Sequence, residues 1–149
     1  MLIVFDINTN KIIGVYSGNL NSIKSLFPRI NNVEEKYNAI HLEDNKEILN
    51  NWNDYKIVNG NLIKKDRLLL ALDKKIIQSD GIDTSILTII IDSNEQFNTV
   101  DVFFNKNKIT VALINNKATI EIVSEQSEII IINGDFNEFI SDEVCLEVV

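Results

Sequence analysis

From Leu68 to its end, the chain is a succession of short runs rich in aliphatic and β-branched residues. The runs are LLLAL, TSILTIII, TVDVFF, KITVALI, KATIEIV, EIIII and EVCLEVV. Turn-forming or charged residues separate each run from the next at a spacing of about 8–12 residues, which is typical of a β-sandwich. No segment of this half has convincing helical periodicity. The pattern therefore predicts a mainly β fold, with an antiparallel β-sandwich in the second half.

Alternation along these runs assigns one side of each predicted strand to the core, because successive side chains of a strand point to opposite faces. The predicted core rows are Leu87, Ile89 and Ile91; Val100, Val102 and Phe104; Ile109, Val111 and Leu113; Ala118, Ile120 and Ile122; and Val144, Leu146 and Val148. The opposite row is also apolar at Ile86 and Ile90, and Ile130 and Ile132 are apolar whichever way their strand faces. Part of this second surface is available to the first half of the chain or to a partner chain.

The first half carries two hairpin signals. The β-rich runs 2–7 and 11–16 are joined by an Asn-Thr-Asn segment that tolerates turn dihedrals. The segment YKIVNGNLIKK repeats the device, with Asn59 and Gly60 as the two positive-φ residues of a type I′ turn. Between the hairpins, NAIHL is a predicted strand. This half is therefore expected to be a small, β-hairpin-rich α+β module.

A short helix is predicted after NAIHL. It begins at Asp44, whose side chain caps the first turn, while Glu47 completes a capping box three residues later. We expect it to pack three apolar side chains on the sheet: Ile48, Leu49 and Trp52. Residues 21–36 predict a loop with one helical turn, because Pro28 interrupts any periodicity.

The charges divide the chain into two parts. Residues 1–66 carry 8 acidic and 8 basic side chains, whereas residues 67–149 carry 14 acidic and 6 basic ones, so the net charge of −8 lies in the second part. This step predicts a domain boundary within Lys64 to Arg67, with a docking module over 1–66 and the sandwich over 67–149. The acidity argues against a nucleic-acid partner and against an anionic membrane surface.

Two features bear on where the chain works. No apolar run approaches the roughly 18 residues that span a bilayer, and MLIVFDINTN lacks the basic start and long apolar core of a signal peptide. Cys145 is the single cysteine, so no intrachain disulfide forms. We expect synthesis in the cytoplasm, and any work outside the cell would follow lysis or release within an assembled particle.

The sequence offers few residues for a catalytic or metal-binding site. His41 is the single histidine and lies in a predicted strand, so a structural or solvent-exposed role is favoured over a catalytic one. Cys145 alternates with Glu143 and Glu147 on a polar face, where neighbouring negative charge disfavours a thiolate. One His and one Cys also fall short of the ligand set of a zinc site. The prediction is a non-enzymatic protein with no catalytic residue, cofactor or metal.

The acidic turn SDGID supports two interpretations. Asp80 and Asp83, with Asp73 or Asp92, would supply hard oxygen ligands for Ca²⁺ if they converged at one end of the sandwich. The favoured alternative is an ordinary turn, because the segment has neither the length nor the ligand count of a calcium loop. In that interpretation Gly81 adopts a conformation that other residues avoid, and the aspartates hydrogen-bond the turn.

Aromatic side chains are the remaining candidates for a binding surface. Trp52 and Tyr55 lie close in sequence, and Phe27 and Tyr37 are candidates to join them in a stacking surface for sugars or peptides. The alternative for Trp52, which is favoured, is a place in the core of the small first module.

The segment NGDFNEF carries the second pair of candidates, Phe136 and Phe139. At the tip of a sandwich these two rings would contact a receptor. The alternative is that they plug the open end of the sandwich.

The segment LALDKKIIQSDGIDTSILTIIID resembles the opening of bacterial immunoglobulin-like domains of the invasin and intimin type. In those domains an initial strand is followed by an acidic-Gly turn, a Thr or Ser, and an alternating strand that ends in Asp. The residues that carry the resemblance are Asp80, Gly81, Thr84, Thr88 and Asp92. The run KATIEIV resembles a later strand of such domains, although Asn115-Asn116-Lys117 stands where the family often has Gly. The resemblance implies an immunoglobulin-like fold for residues 67–149.

The first half, from IVFDINTNKIIGVYSG to YKIVNGNLIKK, resembles the start of small tail and baseplate proteins of phages and prophages of low-GC Gram-positive bacteria. This implies a virion or phage-tail-like particle component, made in the bacterial cytoplasm, whose N-terminal module docks and whose immunoglobulin-like domain projects. The partners so implied are other particle proteins and a host cell-surface glycan. The alternatives are a carbohydrate-binding or cell-surface recognition module and, third, a hydrolase. Exposed edge strands and the apolar second rows are compatible with a homo-oligomer, although the sequence does not specify the oligomeric state.

Overall fold

The computed structural model describes residues 1–18 and 22–149, and the chain divides into two units, Met1–Lys65 and Asp66–Val149. Strands predominate over helices, so the predicted mainly β fold class is confirmed. The division falls between Lys65 and Asp66, one residue before the boundary that the charge step indicates. That residues 67–149 fold on their own stays a prediction.

A central strand, β1 (Leu2–Asp6), organises the first unit. It pairs antiparallel with β2 (Ile12–Tyr16) on one side and with β3 (Tyr37–His41) on the other. All four side chains from Leu2 to Phe5 are buried, although they alternate between the two faces of the strand. Both faces of β1 are therefore covered, which explains why its sequence is a continuous apolar run.

Two short helices, α1 (Ile23–Leu26) and α2 (Val33–Lys36), lie between β2 and β3. The sequence predicts a loop with one helical turn over residues 21–36, of which Asn21 lies outside the described residues. The structure has a helical turn on each side of Pro28, because each turn buries one aliphatic side chain, Ile23 and Val33 respectively. Packing of a single residue is too weak a sequence signal to predict either turn.

Helix α3 (Lys46–Asn50) begins one residue later than the sequence predicts. Its cap is Asn45, whose side-chain oxygen accepts hydrogen bonds from two backbone N–H groups of the first turn at 2.9 and 3.3 Å. The predicted cap, Asp44, is wrong, because its carboxylate lies 2.7 Å from the ammonium group of Met1. Asp44 is thus engaged in an ion pair, and the side chain of the neighbouring Asn45 caps the helix instead.

A hairpin of β4 (Tyr55–Val58) and β5 (Asn61–Lys64) completes the first unit. Its turn residues, Asn59 and Gly60, have φ angles of +50° and +76°, so the positive-φ turn that the sequence predicts is confirmed. A 3₁₀ turn at Trp52–Asp54 leads into the hairpin. Three side chains pack against the core cluster as predicted: Ile48, Leu49 and Trp52.

The second unit is a sandwich of two sheets. Its strands are β6 (Arg67–Leu72), β7 (Ile76–Ile77), β8 (Ser85–Asp92), β9 (Thr99–Phe104), β10 (Asn107–Ala112), β11 (Lys117–Ile122), β12 (Glu128–Gly134), β13 (Ile140–Ser141) and β14 (Glu143–Val148). One sheet has the order β11-β8-β6-β13, and the other has the order β10-β9-β12-β14-β7. Connections such as β8 to β9 and β11 to β12 cross between the sheets, which gives a Greek-key sandwich.

Both ends of this unit contribute to both sheets. The opening segment supplies β6 to one sheet and β7 to the other, and the closing segment does the same with β13 and β14. The pairs β13–β6 and β14–β7 are parallel, whereas the other strand pairs of the unit are antiparallel. The antiparallel pattern thus holds for the long strands, and two-residue strands add the parallel pairs.

The core lies between the two sheets, and four of the five predicted core rows are buried or packed against it. In the row of Ile109, Val111 and Leu113 the prediction is wrong for Ile109, which is 45% exposed. The reason is that Ile109 lies on β10, the edge strand of its sheet, where few side chains of the opposite sheet reach. Ile130 and Ile132 face inward, which leaves the other isoleucines of β12 outside.

Candidate interaction surface

The acidic turn between β7 and β8 is held by its own aspartates. One oxygen of Asp80 accepts hydrogen bonds from the backbone N–H groups of Ile82 and Asp83, both at 2.8 Å. Gly81, which lies between Asp80 and Ile82, has a φ of +70°, in the left-handed region that favours glycine. Both features of the predicted turn are confirmed.

Two further aspartates fasten the neighbouring strands to this turn. The carboxylate of Asp83 lies 2.7 Å from the Lys74 ammonium and accepts the backbone N–H of Gln78 at 3.0 Å. Asp73 accepts the backbone N–H of Ile86 at 2.7 Å and lies 3.2 Å from the hydroxyl of Ser85, which is fully buried. The ends of β6 and β8 are therefore joined through side chains.

These contacts lower the pKa of all three carboxyl groups. Hydrogen bonds from the backbone of Asp83 and Ile82 lower the pKa of Asp80, and the Lys74 ammonium lowers that of Asp83. The backbone N–H of Ile86 lowers the pKa of Asp73. The residues that the structure describes contain no group of three or more His, Cys, Asp or Glu side chains placed to hold a metal ion.

In the first unit, Trp52 and Tyr55 are half-buried and pack against the core cluster. The hydroxyl of Tyr55 lies 3.3 Å from a Glu47 oxygen, and the Lys64 ammonium lies 2.9 Å from the same oxygen and 5.9 Å from the Tyr55 ring. Lys64 lowers the pKa of Glu47. Tyr55 is thus the member of this pair that contacts charged side chains, with its hydroxyl near Glu47 and its ring near Lys64.

The other two aromatic candidates of the first unit contact each other. The Phe27 and Tyr37 rings are 6.2 Å apart, and Phe27 also meets Tyr16 edge-on at 6.4 Å. The Lys36 ammonium lies 5.2 Å from the centre of the Tyr37 ring. The sequence indicates Phe27 and Tyr37 as candidates to join Trp52 and Tyr55 in one stacking surface, whereas the ring contacts described here join them to each other and to Tyr16, for which the sequence gives no signal.

The structure separates Phe136 from Phe139. Phe139 is buried and packs edge-on against Phe97, with ring centres 5.6 Å apart, whereas Phe136 is 51% exposed. Phe139 therefore has the buried position that the plugging alternative expects. Phe136 has the exposed position that a receptor contact requires. The Phe97–Phe139 pair forms one wall of a cavity of about 230 Å³, which is also lined by Thr99, Val100, Asp101, Asp135 and Glu138.

A further candidate surface, which the sequence does not identify, lies on the second unit. On the solvent side of the five-stranded sheet lie three exposed isoleucines, Ile76, Ile129 and Ile131, with Cys145 and Glu147 among them. We call these five residues the isoleucine face. Ile131 is opposite Cys145, and Glu147 is opposite Ile129 on one side and Ile76 on the other. Each isoleucine is at least 44% exposed, although isoleucine is among the most often buried residue types.

The backbone under this face is fixed on both sides. The strand β14 pairs with one edge of β12, and β9 pairs with part of the other edge. Beyond the end of β9, Asn105 hydrogen-bonds to the rest of that second edge. The Asn105 side chain accepts the N–H of Ile131 at 2.8 Å and donates to the carbonyl of Ile129 at 3.0 Å. Its backbone N–H donates to the Ile131 carbonyl at 2.9 Å. Ile129 and Ile131 are therefore presented from a hydrogen-bonded strand.

The single histidine and the single cysteine of the sequence are both on the surface. His41 is exposed on β3, and Cys145 is a free, exposed thiol on β14. Within residues 1–18 and 22–149, no helix has the length and apolar character needed to cross a membrane. No protein-family model, curated protein or solved structure matches this chain.

Proposed function

We propose that the chain is a non-enzymatic structural or adhesion component of a phage tail, a baseplate or a phage-tail-like particle. In this proposal the first unit docks against other particle proteins, and the immunoglobulin-like sandwich projects. The resemblance of the two halves to tail-associated proteins and to invasin-type domains supports it. So does the contrast between a first half with balanced charges and a second half with a net charge of −8.

The single observation that carries the proposal is the isoleucine face. Three aliphatic side chains stand in solvent on hydrogen-bonded strands: Ile129 and Ile131 on β12, and Ile76 on β7, which Glu147 of β14 separates from Ile129. Exposed aliphatic side chains clustered on one face of a sheet are typical of protein–protein contact sites. A protein that acts through such a surface needs no reaction centre, which agrees with a structural role.

Deletion of the reading frame from the source bacterium tests this function. We expect particles induced from the deletion strain to lack complete tails or baseplates, or to assemble and fail to adsorb to the host. Supplying the chain from a plasmid should restore the missing property. Tails of normal form and normal adsorption in the deletion strain would contradict the proposal.

A carbohydrate-recognition role is the second candidate, and the cavity beside Phe97 and Phe139 is the observation that favours it. Two aromatic rings and three acidic residues, Asp101, Asp135 and Glu138, line this cavity, a combination of apolar and polar lining that suits a sugar. This role predicts saturable binding of purified host wall glycan in titration calorimetry. Glu138→Gln should weaken that binding, and Glu121→Gln, on β11, should not.

A further inference from the structure

The centre of the isoleucine face is a carboxylate between two aliphatic side chains. Glu147 on β14 is opposite Ile129 of β12 and opposite Ile76 of β7, which are 61% and 56% exposed. In the part of the chain that the structure describes, none of the ion pairs involves Glu147. The face therefore combines exposed apolar area with one negative charge that has no cationic neighbour bound to it.

The other half of the same sheet surface is different. On β9 and β10, the carboxylate of Asp101 lies 3.4 Å from the Lys108 ammonium and accepts the hydroxyl of Thr110 at 2.7 Å. The lysine of this half is thus already paired within the sheet. Apolar exposure and unpaired negative charge coincide on the β12–β14–β7 side.

We propose that the isoleucine face is a docking site for another protein that presents an arginine or lysine flanked by aliphatic side chains. The cationic head would meet Glu147, and the aliphatic stem and its neighbours would cover Ile76, Ile129 and Ile131. Apolar contact around one arginine is a common composition for the centre of a protein interface. This inference deepens the proposed function and rests on it in requiring that the chain act through protein contacts.

A second copy of the chain fits this face poorly. In a two-fold dimer built on it, each Glu147 would approach the partner's copy of the same surface, and Glu143 on the same strand would add like charge. Residues 67–149 carry 14 acidic and 6 basic side chains, so the surrounding field opposes self-docking as well. Charge complementarity selects a basic partner.

The test is photo-cross-linking from the rim of the face in the full chain. Ser127 is exposed and lies directly before β12, two residues from Ile129, at the rim of the face. Benzophenone maleimide is attached to Ser127→Cys in a Cys145→Ala background, which keeps an apolar side chain at that position of the face. The control probe is Thr119→Cys in that background, on the exposed row of β11 in the other sheet.

Two charge variants accompany the probe. Glu147→Lys reverses the central charge of the face, and Glu121→Lys makes the same change at an exposed position of β11. Both labelled variants are irradiated in purified particles and in whole lysate of the source bacterium. Adduct sites are then mapped by mass spectrometry, and circular dichroism checks that each variant is folded.

We expect the Ser127→Cys probe to attach to a segment of another protein that contains a lysine or arginine beside aliphatic residues. Glu147→Lys should lower the adduct yield by about tenfold, which corresponds to ~1.4 kcal/mol, and Glu121→Lys should leave it unchanged. Raising the ionic strength from about 0.1 M to about 1 M should also lower the yield, because it shortens the Debye length from ~10 Å to ~3 Å.

Four results would overturn the inference: an adduct to another copy of this chain, an adduct to a segment without a basic residue, equal yields with and without Glu147→Lys, or no adduct beyond that of the Thr119→Cys probe. The two proposals fail separately. A chain present in particles without the adduct contradicts the docking site alone. The mapped adduct in lysate, with the chain absent from particles, supports the docking site and contradicts the particle function.

Discussion

The carboxylate of Asp83 lies 2.7 Å from the ammonium group of Lys74, and this pair closes the segment that links the first two long strands of the sandwich. The same carboxylate accepts the backbone N–H of Gln78 at 3.0 Å. One half-buried side chain thus ties together the end of β6, the short strand β7 and the turn before β8. The role of the Asp83 carboxylate in the structure is to hold this turn.

Removal of the Asp83 carboxylate should loosen this segment. We expect Asp83→Ala to lower the urea midpoint of the second unit, because the backbone N–H of Gln78 loses its acceptor and Lys74 loses its partner. Asp92→Ala, at an exposed position at the end of β8, is the matched control and should leave the midpoint nearly unchanged. Equal midpoints for both variants would contradict the role assigned to Asp83.

Acid should destabilise the sandwich through the same group of aspartates. The folded-state pKa values of Asp73, Asp80 and Asp83 lie below the ordinary value of 3.8. A carboxyl group with a lowered pKa stabilises the folded state above its ordinary pKa, and this contribution is lost as pH falls through the folded-state value. Unfolding followed from pH 6 downward should therefore show the loss only below about pH 4.

A triple variant separates these groups from the other carboxylates. With Asp73, Asp80 and Asp83 all changed to Asn, we expect a lower urea midpoint at neutral pH and a weaker decline below about pH 4 than in the native chain. An acid decline as steep as that of the native chain would show that other carboxyl groups are responsible.

Gly134 has no room for a side chain. A Cβ at this position would overlap the side chain of Leu68 and would lie 2.8 Å from the Ser141 hydroxyl, which accepts the Gly134 N–H at 2.7 Å. Gly134→Ala should destabilise the second unit by about 1–3 kcal/mol in urea unfolding, the usual cost of overpacking a core. The cost should fall when Leu68→Val is also present, because the shorter side chain removes the overlap; an unchanged cost would contradict this explanation.

Asn105 should determine how firmly β12 is held at its isoleucines. Asn105→Ala removes the two side-chain hydrogen bonds to Ile129 and Ile131, so we expect a loss of about 1–2 kcal/mol in unfolding free energy and faster amide exchange at Ile131. Asn115→Ala, at an exposed turn position whose φ of +51° is also positive, is the control for the strain of Ala in this conformation. Unchanged exchange at Ile131 in Asn105→Ala would contradict the role of this side chain.

The second unit should fold without the first. A fragment of residues 66–149 contains both sheets and their core cluster, so we expect a cooperative urea transition and a dispersed amide NMR spectrum. Limited proteolysis of the full chain should cut near Lys64 to Arg67 and leave a folded fragment. Only unfolded fragments from that cut would contradict the division into two units.

Most of the long strands could be predicted from the sequence, because each combines period-2 alternation with turn residues at both ends. The strands β7 and β13 could not, since two residues carry no alternation. Ile109 shows a second limit: alternation gives the side of a strand, but only the sheet order shows that β10 is an edge. At Asp44, the sequence shows a good capping residue but not the approach of Met1.

The candidate surface was less predictable than the fold. The run EIIII does not show which isoleucines face outward, because both parities are apolar. Ile76 joins Ile129 only through the pairing of β7 with β14, which are separated by most of the second unit. Glu147 belongs to this surface only because its two isoleucine neighbours lie on two other strands. Such a surface depends on long-range pairing, which local patterns do not specify.

The most direct test of the proposed function is quantitative mass spectrometry of purified phage or phage-tail-like particles from the source bacterium, with isotope-labelled peptides of this chain and of the tail proteins as standards. The proposed function predicts a ratio of this chain to the tail proteins that stays constant across preparations and through further purification. Absence of the chain from the particles, together with abundant free protein in the lysate, would contradict it.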